Sequence, residues 1–322
     1  RFRSHFRRGI GILSPQRFAF FDIGTNTILC LIAEWDSAGG FTVLDDLAEI
    51  ARLGEGVDRS GRISEEGEQR STEILKSYLK RCADLKVEEV LAVGTSALRD
   101  AKNSAEVRAR FKKDLGLEVR VLSGKEEASY SFLAVQKGLD LPRQELLVVD
   151  IGGGSTEFIR GNESGVALAL SINIGSVRLT ERFLRSDPVS KEECAATVAA
   201  IDHELILRRD QMGDLPSSLT LIGIAGTFTT LAAIEKKLER YSHGEVHGGV
   251  LTLNEVRRQI ELFQGKSIAE RKSIRGLEPK RADVILAGAY LIERIMTFMR
   301  AERVIVSDQG VRYGLLHERL KK

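Results

Sequence analysis

Two segments of this chain repeat one chemical idea. Phe18-Ala-Phe-Phe-Asp22-Ile-Gly-Thr-Asn-Thr27 recurs as Leu146-Leu-Val-Val-Asp150-Ile-Gly-Gly-Gly-Ser-Thr156, and each passes from an apolar run through Asp-Ile-Gly and small residues into a second run. Glycines let backbone amides approach an anion, and successive turn amides form a concave nest for phosphate oxygens. An aspartate repels phosphate unless a cation stands between them. Asp22 and Asp150 therefore imply Mg²⁺ or Mn²⁺, hard ions that take oxygen ligands and keep several waters. A tight Asp-Gly turn would explain either segment alone. The same residue order twice favours a duplicated phosphate hairpin over turn chemistry.

Three further segments end an apolar run in small residues or a helix start. Leu219 to Thr230 runs into Gly226 and Thr227, where a helix N-terminus offers unpaired amides to an anion; an N-cap threonine is the structural alternative. Val90 to Ala101 does the same with Ser96 and Arg99, which lie three apart and share a helix face. Arg99 is either a planar clamp for a terminal phosphate or a surface arginine at a helix start. Ser123-Gly-Lys-Glu126 spells a capping box, which leaves Glu127 as a second carboxylate pointing elsewhere. Such a group either complements the helix dipole or deprotonates a water beside the metal. Gly265-Lys266-Ser267 lacks the leading glycine of a P-loop, having Ile260 there, and no G-x-S-x-G elbow occurs. His243 and His247, four apart, are set aside as a metal pair.

The elements that must position these residues alternate between strand and helix, which predicts an α/β fold with mixed sheets. Helices are expected over 65–85, 105–115, 125–136, 191–209, 229–241, 255–263 and 281–300, several with legible caps such as Ser190 with Glu193 and Thr252 with Glu255. At 322 residues, two domains are expected. Each would open on one hairpin, with the cleft between them. The first is assigned to 18–137 plus 309–322 and the second to 138–308, the boundary falling over 135–143, punctuated by Gly138 and Pro142. Ser307-Asp-Gln-Gly310 would lead a final helix back to the first domain as part of a hinge.

Composition narrows the function. Forty-eight basic against forty-six acidic side chains leave a net charge of +2, no bulk field for nucleic acid. The longest apolar runs fall short of the ~18 residues that span a bilayer. Cys30, Cys82 and Cys194 sit at no metal-ligand spacing and fit a reducing, cytoplasmic setting. Residues 1–17 carry Arg1, Arg3, Arg7, Arg8 and Arg17 without an acid. They read as a basic leader or vector-derived residues outside the fold, with a polyanion-gathering arm as the alternative.

The duplicated Asp-x-Gly hairpin is similar to the phosphate loops of the actin, sugar-kinase and chaperone ATPase superfamily, which implies two actin-like (ribonuclease H-like) domains around an interdomain cleft. More narrowly, Asp22 to Thr27, Thr95 to Arg99, Ser123 to Ala128 and Asp150 to Glu157 resemble the exopolyphosphatase and guanosine pentaphosphate phosphohydrolase family. Asn173 to Leu179, Gly223 to Thr227, Val246 to Gly248, Arg281 to Ile285 and Ser307 to Gly310 continue the match. The resemblance covers the two-domain core from about Phe18 to Leu316; Tyr313 departs from the glutamate often found there. It implies release of the terminal phosphate of linear polyphosphate, with the 5′ phosphate of guanosine pentaphosphate as the alternative substrate. It also implies Glu127 as base, and Asp150 and Glu157 as ligands of Mg²⁺ or of its waters. Gly152, Gly153, Gly154 and Ser155 would hold the phosphoryl group, faced by Asp22, Gly24, Thr25 and Asn26, with Arg99 on the phosphate chain. K⁺ is a further candidate cation and a homodimer the candidate assembly. An ATP-dependent kinase and a non-catalytic polyphosphate or nucleotide sensor are the rival readings.

Overall fold

The computed structural model describes residues 16–35, 40–141, 145–213 and 219–320. Arg1, Arg3, Arg7 and Arg8, and Pro142 and Arg143 of the expected boundary, lie outside them. Arg17, grouped above with the leader, belongs to the fold: it lies in the first strand, its Nε donating to Glu34 at 2.7 Å and its Nη1 to the Leu85 carbonyl at 2.7 Å.

Eleven strands are described: β1 (Gln16–Ile23), β2 (Thr27–Trp35), β3 (Phe41–Ile50), β4 (Glu89–Gly94), β5 (Val119–Val121), β6 (Leu146–Ile151), β7 (Thr156–Asn162), β8 (Gly165–Ile172), β9 (Thr220–Ile224), β10 (Val250–Thr252) and β11 (Arg303–Val306). They form a five-stranded sheet ordered β3-β2-β1-β4-β5 and a six-stranded sheet ordered β10-β11-β9-β6-β7-β8. In each, an antiparallel three-strand meander pairs its first strand with parallel strands beyond it, β1 with β4 and β6 with β9. The repeat in the sequence is thus a repeat of topology, and both glycine segments are the turns of antiparallel hairpins, as expected.

β1 and β6 are apolar at nearly every position because both of their faces are covered. Side chains alternate across a strand. Ala19 and Phe21 pack toward the helices Glu65–Asp84 and Ser104–Leu115, whereas Phe18 and Phe20 pack toward the helix Val311–Arg319. Leu147 and Val149 face the helices Lys191–Leu207, Ala225–Glu235, Leu253–Gln264 and Ile285–Phe298; Leu146 and Val148 face the helix Gly124–Gly138. That last helix gives Ala134 to the first sheet's cluster and Ala128, Phe132 and Val135 to the second's, so it is wedged between the two.

Two helices depart from expectation. The one placed at 229–241 runs over Ala225–Glu235: Gly226 and Thr227 form its first turn instead of preceding it, and Lys237, at φ 51°, stops it. The one placed at 281–300 runs over Ile285–Phe298, preceded by a 3₁₀ turn at Pro279–Arg281. Proline favours the first position of such a turn because an N–H there would be unpaired anyway, and proline has none.

Candidate active site

The hairpin tips of β1–β2 and β6–β7, together with the N-terminus of the helix Ala225–Glu235, line a cleft of about 760 Å³ between the sheets. Asp22, Gly24, Thr25, Asn26, Ser96, Glu127, Asp150, Gly152, Gly153, Gly154, Ser155, Gly226 and Thr227 all border it, so most of the sequence candidates converge there. Arg99 and Glu157 stand just behind its wall, each reaching the site through a neighbour.

Glu127 owes its place to its neighbour. Ser123 accepts from the Glu126 amide while Glu126 returns to the Ser123 amide at 2.9 Å, the reciprocal box foreseen above. One step along the helix, Glu127 is turned inward, 7% exposed, and accepts from Arg99 Nη1 at 2.7 Å. Arg99 also donates to the Leu122 carbonyl at 3.1 Å, which fixes its guanidinium plane. In this arrangement the arginine holds the acid. Ser96, at the start of the same short helix, donates to Asp100 at 3.3 Å.

Asp150 is the next-to-last residue of β6 and lies directly across the hairpin from Glu157 on β7. Cross-strand partners project to one face, so two carboxylates are set side by side where like charges repel. Asp150 accepts from Ser131 at 3.2 Å and Glu157 from Ser171 at 2.8 Å. Asp22 has a buried oxygen, Oδ1, with no partner, and neither side-chain polar atom of the buried Asn26 has one.

Burial governs the protonation of this group. It pushes Asp22 up to about 7, with Glu127 and Asp150 adding to the shift and Arg312 opposing it. Asp150 is likewise pushed up to about 7 by burial and by Glu127, against the Ser131 hydrogen bond. Glu157 is raised well above the usual carboxylate range by burial, Glu127 and Asp150. Burial also raises Glu127, outweighing the Arg99 contact.

The loops approach so closely that side chains would not fit. A Cβ on Gly154 would lie 2.8 Å from Ser96 Oγ, and one on Gly153 3.1 Å from Thr25. Ala225, the first residue of its helix, takes a left-handed φ of 70° that L-residues rarely adopt.

The sequence left four contributors unassigned. Arg281 donates to Thr27 at 3.0 Å and packs against Gly226, its position set by the 3₁₀ turn. Arg178 donates to the Gly154 carbonyl at 2.8 Å. Arg312 grips Asp46 with two bonds of 2.8 and 2.9 Å. Tyr313 donates to that same Asp46 of β3 at 2.9 Å. His243 and His247 both lie on Asp308, and among the described residues no group of three or more His, Cys, Asp or Glu is arranged to hold a metal ion. The three cysteines are free and buried, and among the described residues no helix is long and apolar enough to cross a membrane.

Paired sheets of matched topology, closed around a cleft of glycine turns and buried acids, define a two-lobed protein of the actin-like class. The chain belongs to the Ppx/GppA phosphatase family, whose profile matches residues 31–322. Among solved structures it is similar to the Ppx/GppA family member of Aquifex aeolicus, at 36% identity and a TM-score of 0.78 over 95% of this chain and 98% of that one. It is also similar to an exopolyphosphatase from Cytophaga hutchinsonii, at 30% identity and a TM-score of 0.86 over 95% and 98%. Exopolyphosphatase 2 of Mycobacterium tuberculosis is 32% identical over 315 residues, 94% of this chain and 98% of that protein. The bifunctional 3-dehydroquinate synthase/phosphatase of Fusobacterium nucleatum is 33% identical over 307 residues, 93% of this chain but 46% of that protein, so the chain spans about half of that longer relative.

Proposed function

We propose that this protein is an exopolyphosphatase that releases terminal orthophosphate from linear polyphosphate by in-line attack of water. The observation that carries this reading is Glu127, a buried carboxylate held by Arg99 at 2.7 Å and set on the same cleft as both glycine hairpins. Phosphoryl transfer asks little covalent chemistry of a protein; positioning and charge stabilisation dominate. The glycine-turn amides and Ser155 hold the terminal phosphoryl group in line with a water beside Glu127. The water oxygen bonds the terminal phosphorus as the bridging P–O bond breaks, and the bridging oxygen keeps the bonding electron pair and leaves with the shortened chain. Glu127 takes the water proton, and the terminal phosphorus becomes orthophosphate. Burial raises the affinity of Glu127 for protons, which makes it a stronger base than a free carboxylate.

The donors present fit a hard divalent cation such as Mg²⁺ or Mn²⁺. Asp22 has an orphaned oxygen, and Asp150 and Glu157 face each other across a hairpin as like charges. Without a three-acid cage, such an ion would be met by Asp150 and Asp22 with Glu157 acting through water, the few-carboxylate, many-water style of Mg²⁺. Bound there, it would neutralise phosphate charge and relieve the repulsion among the acids.

A second reading keeps the site and changes the substrate to guanosine pentaphosphate. It rests on the far end of the cleft, where Ala233, Leu238, Tyr241, Gly276 and Leu277 offer an apolar and aromatic lining. The three free, buried cysteines fit a reducing, cytoplasmic setting under either reading.

The test is orthophosphate release with Mg²⁺ from long-chain polyphosphate, guanosine pentaphosphate and ATP, with Glu127→Ala alongside. Release from polyphosphate that falls by about 10²-fold or more in the variant is expected. Full activity in Glu127→Ala would remove the base assignment. Preference for the guanosine substrate would favour the second reading, and binding without release would make the protein a sensor.

A further inference from the structure

The two lobes meet beside the glycine loops in a crevice of only about 20 Å³, bordered by Thr25, Asp58, Ser96, Gly153, Gly154 and Arg178. That is room for about one water, so the loops are held in contact there. Arg178 sits at the centre of the seam, on the helix Ser176–Phe183, with its side chain 14% exposed. Its planar fork is used in three directions. Nε donates to the Gly154 carbonyl at 2.8 Å, Nη1 donates to Asp58, and Nη2 reaches Asp100 at 3.4 Å.

The three partners differ in what they belong to. Gly154 is the tip of the second hairpin and moves with Arg178. Asp58 and Asp100 belong to the first lobe, and Asp100 also accepts from Ser96 at 3.3 Å. Around this fork, Arg182 donates twice to Asp58 at 2.5 and 2.6 Å, and Glu181 accepts from the Gly56 amide at 2.9 Å. On the opposite rim Arg52 also spans the lobes, but its guanidinium holds Asp283 and the Lys280 carbonyl, not a glycine loop.

We propose that Arg178 is a positioning residue, fixing through Gly154, Asp58 and Asp100 the one separation at which both phosphate loops bear on the same phosphoryl group. Its bonds to Asp58 and Asp100 cross between the lobes and must break when the cleft opens; its bond to Gly154 stays within one lobe and persists. Arginine is required because a lysine, with one point charge, cannot serve a carbonyl and two carboxylates in fixed directions. Misplacing reacting groups by about 1 Å costs up to ~10²-fold in rate, so loosening this seam reaches the chemistry without touching substrate. The rate effect rests on the phosphohydrolase reading above; the latch between the lobes does not.

Asp58→Asn keeps the shape of the partner and removes its charge, and it spares the bond from Arg178 to the Gly154 carbonyl. With polyphosphate and Mg²⁺, this variant is expected to lose kcat roughly tenfold while KM changes less than about twofold. Arg178→Lys is expected to lose kcat likewise. Arg110→Ala, which breaks an ion pair with Glu68 inside the first lobe, should match wild type. In parallel, spin labels at Glu73→Cys and His203→Cys report the lobe separation, which should lengthen and broaden in Asp58→Asn. Wild-type kcat in Asp58→Asn or in Arg178→Lys would overturn the positioning role. An unchanged label distance in Asp58→Asn would overturn the latch. Should the wild-type protein release phosphate from no substrate, the hydrolase reading fails, and the label distances still decide whether Arg178 holds the lobes.

Discussion

The hairpins β1–β2 and β6–β7 share a topology and divide a labour. Across the second, Asp150 is opposite Glu157; at the matching place in the first, Asp22 is opposite Leu29. The second hairpin's acids have partners in Ser131 and Ser171, while the first leaves Asp22 Oδ1 and the Asn26 amide without any. One copy of the device is therefore pre-oriented from within, and the other keeps polar atoms whose partners must arrive with a ligand. The strand-to-helix junctions differ too. After β4 the chain turns through Thr95 at φ −114°, an ordinary conformation, and after β9 through Ala225 at φ 70°. The two hairpins share one scaffold and differ at single positions.

Making the second hairpin resemble the first should break the contrast most sharply. Glu157→Leu removes one of two facing acids and recreates the Asp22–Leu29 arrangement. Phosphate release is expected to fall by about 10²-fold or more. Stability at pH 8 should rise by about 1–2 kcal/mol, read as an increase in melting temperature, because a repelled buried charge is replaced by an apolar side chain. A variant that loses both activity and stability would show that Glu157 serves packing.

Arg99 tests how the first half serves the second. Arg99→Lys keeps the charge but gives up the planar group whose Nη1 donates to both Glu127 and the Leu122 carbonyl. A roughly tenfold loss of kcat is expected. The acid limb of the pH–rate profile should move upward, since Glu127 loses a contact that favours its ionised form. An unchanged limb would place the titrating base elsewhere.

A gentler comparison needs no mutation. Asp22 and Asp150 bind protons up to about pH 7 in the fold, against about 4 in an unfolded chain. Between those values the native state holds more protons than the unfolded state, so stability falls as pH rises and levels off above about 7. Chelator-treated protein should melt several degrees lower at pH 8 than at pH 5. Added Mg²⁺ should restore the loss at pH 8 and do much less at pH 5. Melting temperatures independent of pH over that range would mean the acids are better hydrated than their burial implies.

The smallest effect is at the junction after β9. Ala225→Gly relieves a left-handed alanine but loosens the unfolded chain, and a net gain within about 1 kcal/mol is expected from denaturant unfolding. A loss would mean that the methyl group packs usefully against its surroundings in the cleft.

Much of this was legible in the sequence because its signals are local. The hairpins announced themselves through Asp-x-Gly occurring twice between apolar runs, and the Ser123–Glu126 box freed Glu127 for another purpose within four residues. The pairing of Arg99 with Glu127 was not legible, for the sequence suggested a phosphate clamp, and 28 residues separate them. Arg281 and Thr27 are 254 residues apart, and Arg312 and Asp46 are 266 apart. No short-range pattern encodes such meetings; they follow only from stacking two sheets against one wedged helix. The two misplaced ends of the helix Ala225–Glu235 share a cause. Lys237 and Ala225 adopt left-handed backbones without the glycine that would normally signal them.

The helix Val311–Arg319 carries a consequence for how the chain is made. It covers Phe18, Phe20 and Leu31 of the first sheet, and Gly314 lies so near the Tyr130 backbone that a Cβ would sit 2.2 Å from its carbonyl oxygen. During synthesis, those strands leave the ribosome long before the residues that roof them. One face of the first sheet must wait, open to solvent or to a chaperone, until the second lobe has been translated. A nascent chain halted near residue 300 should therefore display a sticky apolar face, and the first lobe completes its core only after the second has been translated.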